Sequence, residues 1–487
     1  MNLSLGKGFA YLTSASFIGT FTQVIKGKLM AVFLGAAGVG IYSQLTYLFN
    51  LMFTIASLGF RNGIIKKVSQ SIDDNDTEAV IQHYASIFIF LSLFSIIITI
   101  IVCLFANTVS NYLFADLGKK STLVILVLLA IPFAVLANTY QAMLSASMSI
   151  KLIVKAQVIV DIFSLLPFSI LLYFGEIKGA VAAFVFYQVL KLLGNTYYFY
   201  KKYEINLFPK FSVFSWQDIV INFRFGISGL LLVSLNMLLM IFISRYIIAE
   251  LGEQSNGFFA VAFKVATLYL GAVYANASSY YFPLLSKSRN TKNLRDNVNH
   301  TCRFYFYLLP PLIVGIMAGS EWVISLLFSK EFLPAALLLL FFLPADLLRI
   351  TAETFGLPLL VKEEFLAYNS CYIAWAICYG LTAIIFINKF GLVGIGIAYL
   401  FSQIINCLLV LSVVAWKLQV WPSYSFLWSF FLAISLVATA AFGNFLFSGF
   451  VTKIIISVLA LLTWFFISYR QHEFRNYLQP LLQKILR

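Results

Sequence analysis

The 487-residue chain is too apolar for a water-soluble protein, because 61% of its residues are hydrophobic and only 11% are charged. Ordinary soluble domains carry about 25% charged residues and about 45–50% apolar ones. The net charge is +14, from 33 Lys and Arg residues against 19 Asp and Glu residues, but no polar stretch is long enough to form a basic domain that would bind nucleic acid. The composition excludes a soluble enzyme and predicts a polytopic membrane protein.

About fourteen segments are long and apolar enough to cross a bilayer, which requires about 20 mostly apolar residues. In chain order they are residues 8–33, 38–63, 81–107, 121–145, 152–173, 179–200, 220–248, 256–284, 303–319, 333–359, 365–387, 392–415, 424–446 and 451–469. The loops between them are short and leave no room for an independent domain outside the membrane. The predicted fold class is therefore all-α, with about 14 transmembrane helices.

The distribution of positive charge orients these helices. If the N-terminus lies inside, most Lys and Arg residues fall on the loops of that same side, for example Lys66, Lys201, Lys202 and Lys287. Because cytoplasmic loops carry an excess of Lys and Arg, this pattern predicts that both termini are cytoplasmic. Several cations remain inside predicted helices and need another explanation.

An internal repeat relates helices 1–6 to helices 7–12. When the sequence is aligned with itself at one constant offset, Gly35 aligns with Gly252 and Gly40 aligns with Gly257. The boundaries of the predicted helices also align at this offset. Since six helices bring the chain back to the same side, the repeat is parallel, with a pseudo-two-fold axis along the membrane normal. We predict one six-helix lobe over residues 1–203, a second over 204–419, and helices 13 and 14 with a cytoplasmic tail over 420–487. Two such lobes are typical of alternating-access transporters.

Cations within or at the ends of the predicted helices are candidates for substrate binding. They are Lys26, Lys28, Arg61, Lys66, Arg245 and Lys264. Charges at membrane depth are costly and usually face a water-filled cavity or a partner. Lys28 and Arg245 are equivalent in the repeat, and Lys and Arg donors suit a compact anion such as phosphate or pyrophosphate. The alternative is that these side chains extend to the membrane surface, which long cationic chains do readily.

Acidic residues within the helices are candidates for ion coupling or gating. Asp161 lies inside helix 5, and Asp346, Arg349 and Glu353 share one face of helix 10 at positions i, i+3 and i+7. Two interpretations stay open for the three charged residues on helix 10, which we call the helix 10 stripe. It either exchanges partners during transport or forms a static, internally neutralised network.

Neither a metal site, a cofactor nor a catalytic residue is predicted. The five cysteines form no C-x-x-C pair and the three histidines are scattered. The glycine-rich runs 35–40 and 391–396 follow no soluble strand, so we assign them to turns between spanning helices rather than to dinucleotide binding.

Four short stretches resemble a known family. They are residues 26–40, Gly59–Gly63, Phe328–Phe332 and Ala345–Arg349, in order and spacing across helices 1–12. They are similar to O-antigen flippases of the Wzx type, in the polysaccharide-transporter branch of the MOP (multidrug/oligosaccharidyl-lipid/polysaccharide) superfamily.

The resemblance implies a flippase that moves an undecaprenyl-pyrophosphate-linked oligosaccharide across the cytoplasmic (inner) membrane through a cationic cavity. The expected partners are this substrate and membrane lipids, with a polysaccharide polymerase and a chain-length regulator as further candidates, and no nucleic acid. One alternative is a membrane enzyme such as an O-antigen polymerase or a glycosyltransferase, which the short outer loops disfavour. Another is a different exporter of the same superfamily, and a cationic cavity disfavours a carrier of cationic drugs.

Overall fold

The computed structural model describes residues 5–115, 119–205, 209, 211–276, 281–288, 290–447, 449–469 and 471. Within these residues all regular secondary structure is helical, which confirms the predicted class. The helices are α1 (Leu5–Ser57), α2 (Arg61–Asp73), α3 (Thr77–Leu104), α4 (Ala106–Phe114), α5 (Ser121–Leu128), α6 (Ala130–Ala146), α7 (Ile150–Phe163), α8 (Leu165–Tyr203), α9 (Trp216–Asn276), α10 (Phe282–Ser286), α11 (Thr291–Ala318), α12 (Ser320–Leu327), α13 (Ala335–Val361), α14 (Phe365–Phe390), α15 (Leu392–Leu418), α16 (Tyr424–Leu446) and α17 (Phe450–Tyr469).

Eleven continuous helical stretches of the described chain are long and apolar enough to span a membrane. The three longest are Ile18–Asp73, Ile150–Tyr203 and Gly229–Leu268, with 56, 54 and 40 residues. At about 1.5 Å per residue each is far longer than the roughly 30 Å hydrocarbon core. Each is interrupted by a residue outside helical geometry, namely Gly35 (φ 63°), Glu176 (φ 47°) and Gly252 (φ 85°). The stretch Ile18–Asp73 has a further break at Leu58 and Gly59, between α1 and α2. Counting each of the three as two crossings recovers the fourteen predicted from the sequence.

Equivalent glycines of the repeat have equivalent structural roles. Gly35 and Gly252 both adopt a left-handed φ and break their long helices at matching positions. Five residues later, a Cβ on Gly40 would lie 2.2 Å from the carbonyl oxygen of Glu253, and a Cβ on Gly257 would lie 1.9 Å from that of Ala36. The shift that relates the two halves of the repeat converts each of these contacts into the other. The segments around Gly40 and Gly257 therefore cross with their backbones in contact, and the crossing is symmetric.

The chain forms two compact units, Met1–Gly257 and Phe258–Arg487. In the first, α3, α6 and α8 meet at an aromatic cluster in which the Phe199 ring lies 4.9 Å from both Tyr84 and Tyr140. In the second, α13 and α15 pack together, with the Phe342 ring 5.1 Å from Tyr399. The lobe boundaries predicted at residues 203 and 419 stay a prediction.

Candidate functional site

A buried polar cluster lies within the first unit, where α1, α7 and α8 meet. The ammonium group of Lys26 donates a 2.8 Å hydrogen bond to the Ser164 hydroxyl. It also lies 4.5 Å from the ring centroid of Tyr187 and 5.6 Å from that of Phe168. Cations are attracted to aromatic faces at such distances. These contacts replace part of the hydration that Lys26 loses inside the membrane.

Asp161 is the acidic member of this cluster. Its side chain is buried, and Oδ1 accepts a 2.9 Å hydrogen bond from the Tyr187 hydroxyl. Lys26 and Lys191 both interact electrostatically with the carboxylate. Since a carboxylate at membrane depth is stable only with such partners, Asp161, Lys26 and Tyr187 form one interdependent group.

A cavity of about 130 Å³ adjoins this group. Its walls are formed by Gln141, Ile153, Ala156, Gln157, Val160, Tyr187, Lys191 and Asn195. Arg61 lies nearby, since it interacts electrostatically with Lys191 and donates a 3.4 Å hydrogen bond to the Asn138 side chain. The structure thus brings together Lys26, Arg61 and Asp161, which the sequence had singled out separately, and gives the cluster a cationic excess.

Several members of this site were missed by the sequence analysis. They are Ser164, Tyr187, Gln141, Gln157 and Asn195. Part of this group could have been recognised from the sequence. Tyr187 and Asn195 lie four residues before and after Lys191, so the three side chains share one helix face. Gln141 lies on α6, and its approach to that face depends on helix packing.

The remaining predicted cations of the first unit lie elsewhere. Lys28 is half-buried on α1, two residues from Lys26, a spacing at which side chains do not face the same way. Lys66 is exposed on α2. Arg245 donates a 2.7 Å hydrogen bond from Nε to the carbonyl oxygen of Tyr112, and its guanidinium lies 4.4 Å from the Tyr112 ring. Arg245 therefore joins α9 to α4, and its role toward phosphate stays a prediction.

Two predicted sites fall in the second unit. Lys264 is half-buried on α9. On α13, Asp346 is 1% exposed and accepts a 3.4 Å hydrogen bond from the Tyr399 hydroxyl of α15, while Arg349 donates a 2.9 Å hydrogen bond to Glu353. Tyr399 also interacts with Arg349 and Glu353. The stripe is thus one network centred on Tyr399, a residue that the sequence analysis did not identify.

The described residues form eleven apolar helical stretches, three of them long enough for two crossings, with an internal repeat and with charged networks inside the spans, and these features are typical of a membrane transporter. Comparison with known proteins agrees with this class. The chain belongs to the family of polysaccharide biosynthesis proteins, whose family model matches residues 29–337.

Individual relatives are more distant. The chain is 24% identical over 393 residues to a Shigella flexneri protein named "Putative O-antigen transporter", covering 77% of this chain and 90% of that one. It is 20% identical over 368 residues to the Lipid III flippase of Escherichia coli (strain K12), covering 75% and 87%.

Two solved structures share the fold. An inward-facing multidrug transporter of the MATE family superposes with a TM-score of 0.70 at 16% identity, covering 85% of this chain and 99% of that one. The Lipid II flippase MurJ in an inward closed conformation gives 0.68 at 15% identity, covering 94% and 98%. These two likenesses show the fold of the chain, and the polysaccharide-related family expected from the sequence is confirmed by the family model.

Proposed function

We propose that this protein is a flippase that moves an undecaprenyl-pyrophosphate-linked oligosaccharide from the inner to the outer leaflet of the cytoplasmic membrane by alternating access. The observation that carries the proposal is the excess of half-buried cations in the first unit, where Lys26, Arg61 and Lys191 accompany Asp161. Half-buried cations favour an anionic substrate such as a pyrophosphate. The relatives named as an O-antigen transporter and a Lipid III flippase support the same substrate class.

The cluster around Asp161 provides a means to couple translocation to an ion. When Asp161 is ionised it attracts Lys26 and Lys191, which restrains both ammonium groups. Protonation of Asp161 removes this attraction and leaves the cations available to the substrate. The α13 network of Asp346, Arg349 and Glu353 is proposed to act similarly in the second unit, where two acids face one cation.

We place the protein in the inner membrane with both termini in the cytoplasm, on the basis of the Lys and Arg distribution. A polysaccharide polymerase and a chain-length regulator would act on the exported product, so they are the proposed partners. Cysteine labelling tests the orientation. A membrane-impermeant thiol reagent added from the periplasm should label a Lys119→Cys variant and leave a Lys292→Cys variant unlabelled. The reverse pattern would contradict the orientation.

Reconstitution tests the function itself. The purified protein in proteoliposomes should make a lipid-linked oligosaccharide of the inner leaflet accessible to an impermeant glycosidase, whereas protein-free vesicles should expose only the outer-leaflet share. Mass spectrometry of the glycan separates the alternatives, because a polymerase or glycosyltransferase would change its mass. Vesicles that behave like the protein-free control would refute the proposal.

A further inference from the structure

The cavity between α6, α7 and α8 has a mostly polar lining that suits a hydrogen-bonding ligand. Five of its eight wall residues are polar, namely Gln141, Gln157, Tyr187, Lys191 and Asn195. Its volume of about 130 Å³ has room for several water molecules, or for a small polar substituent with part of a sugar ring. Side-chain amides both donate and accept hydrogen bonds, which is what the alternating donors and acceptors of sugar hydroxyls require.

Lys191 is the charged member of the cavity wall. Its ammonium group forms no hydrogen bond and no ion pair with the residues that the structure describes. The nearest opposite charge, Asp161, is already hydrogen-bonded to Tyr187, and Arg61 repels Lys191. A cation held at membrane depth without a direct counter-ion is costly, so the cavity favours an anionic occupant.

We infer that this cavity binds the carboxylate of an acidic sugar within the oligosaccharide, with Lys191 as its counter-ion and Gln141 and Gln157 as hydrogen-bonding partners of the adjacent hydroxyls. Within the cavity wall, the ammonium group of Lys191 matches one carboxylate charge, whereas a pyrophosphate carries more charge and requires several cations, so Lys26 and Arg61 outside the wall are left to it. The inference rests on the proposed function and deepens it, since it makes uronic-acid-containing glycans the preferred substrates.

Thermal unfolding of the purified full-length protein tests the assignment, with D-galacturonate, D-galactose and inorganic pyrophosphate as probes. A ligand that binds the folded state raises Tm in proportion to its occupancy. We expect 100 mM galacturonate to raise Tm by about 2 °C and galactose to raise it by less than half as much. The Lys191→Gln variant should lose the response to galacturonate. The matched control Lys155→Gln, at an exposed lysine of α7, should retain it.

Three specific responses, or no response at all, would overturn the inference. The first is an equal response to galactose and galacturonate. The second is an unchanged galacturonate response in Lys191→Gln, or in Gln141→Leu if Lys191→Gln does not fold. The third is a response to pyrophosphate alone that depends on Lys191, which would assign the cavity to the lipid carrier. An absence of any response would mean that the cavity holds only water. These outcomes leave the flippase activity to be decided separately by the proteoliposome assay, so the two failures are distinguishable.

Discussion

The hydroxyl of Tyr187 donates a 2.9 Å hydrogen bond to Oδ1 of Asp161, and the same tyrosine ring lies 4.5 Å from the ammonium group of Lys26. Tyr187 therefore contacts both the acid and the base of the buried cluster. A change in the charge of Asp161 reaches Lys26 through this shared neighbour as well as through space. In the proposed mechanism, proton binding by Asp161 on α7 would therefore alter the position of Lys26 on α1.

The Asp161→Asn substitution should lower glycan export about tenfold or more while leaving the protein in the membrane. A hydrogen bond to a charged group contributes about 1.5–3 kcal/mol, and 1.4 kcal/mol corresponds to a factor of ten. Export by the variant should also become less sensitive to the proton gradient, because position 161 no longer titrates. Proteoliposomes with and without an imposed gradient measure both effects. Tyr197→Phe, at an exposed tyrosine of the neighbouring helix α8, is the control. Normal export with a normal gradient response would exclude Asp161 from coupling.

Lys28 and Arg245 test the phosphate hypothesis. Each single Ala variant should reduce export with normal amounts of protein in the membrane, and Lys28→Arg should retain more activity than Lys28→Ala because charge is the property required. Arg245→Lys should be intermediate, since it keeps the charge but alters the hydrogen bond to Tyr112. Lys201→Ala, at an exposed position near the end of α8, provides the control. Normal export by the double Ala variant would refute the hypothesis.

Asp346→Asn distinguishes coupling from a static network on α13. If the network couples an ion, the variant should express well, export less and depend differently on the proton gradient. If the network only supports folding, expression should fall because the hydrogen bond from Tyr399 to the Asp346 carboxylate is weakened, and the protein that remains should keep its normal dependence on the proton gradient. The buried position of Asp346 and its hydrogen bond from Tyr399 make either effect measurable. Unchanged export and pH response would remove Asp346 from the mechanism, leaving Glu353 as the next acid of the network to test.

Alanine at Gly40 or Gly257 should prevent correct folding or lower Tm strongly. The added Cβ would lie 2.2 Å or 1.9 Å from a backbone carbonyl oxygen, so a helix must move. Overpacking typically costs about 1–3 kcal/mol and occasionally more. Gly315→Ala is the matched control, because apart from its chain neighbours and the backbone of its own helix no described atom lies within 4 Å of its Cβ position. Thermal unfolding of the purified variants gives the comparison. Equal Tm values for Gly257→Ala and Gly315→Ala would show that the close crossing is absent.

The amino-acid sequence alone determined that the protein is helical and lies in a membrane. Both conclusions follow from the lengths of its apolar segments, which can be read without knowing how the chain packs. The same holds for the repeat, in which Gly35 and Gly252 have the matching backbone conformations that their equivalence predicts. Asp161 and Lys26 were also identifiable, since any charge inside such a run is conspicuous.

Only the tertiary structure decided which of these charges share a site and which neutral residues join them. Tyr187 and Tyr399 are two among 26 tyrosines, and Gln141 reaches the Lys191 cavity from a different helix. Arg245 lies against Tyr112, 133 residues earlier in the chain. Helices in a bilayer are apolar on the faces toward lipid and on the faces toward one another. Hydropathy therefore fixes their number and length, whereas close packing of side chains and backbone fixes which faces meet.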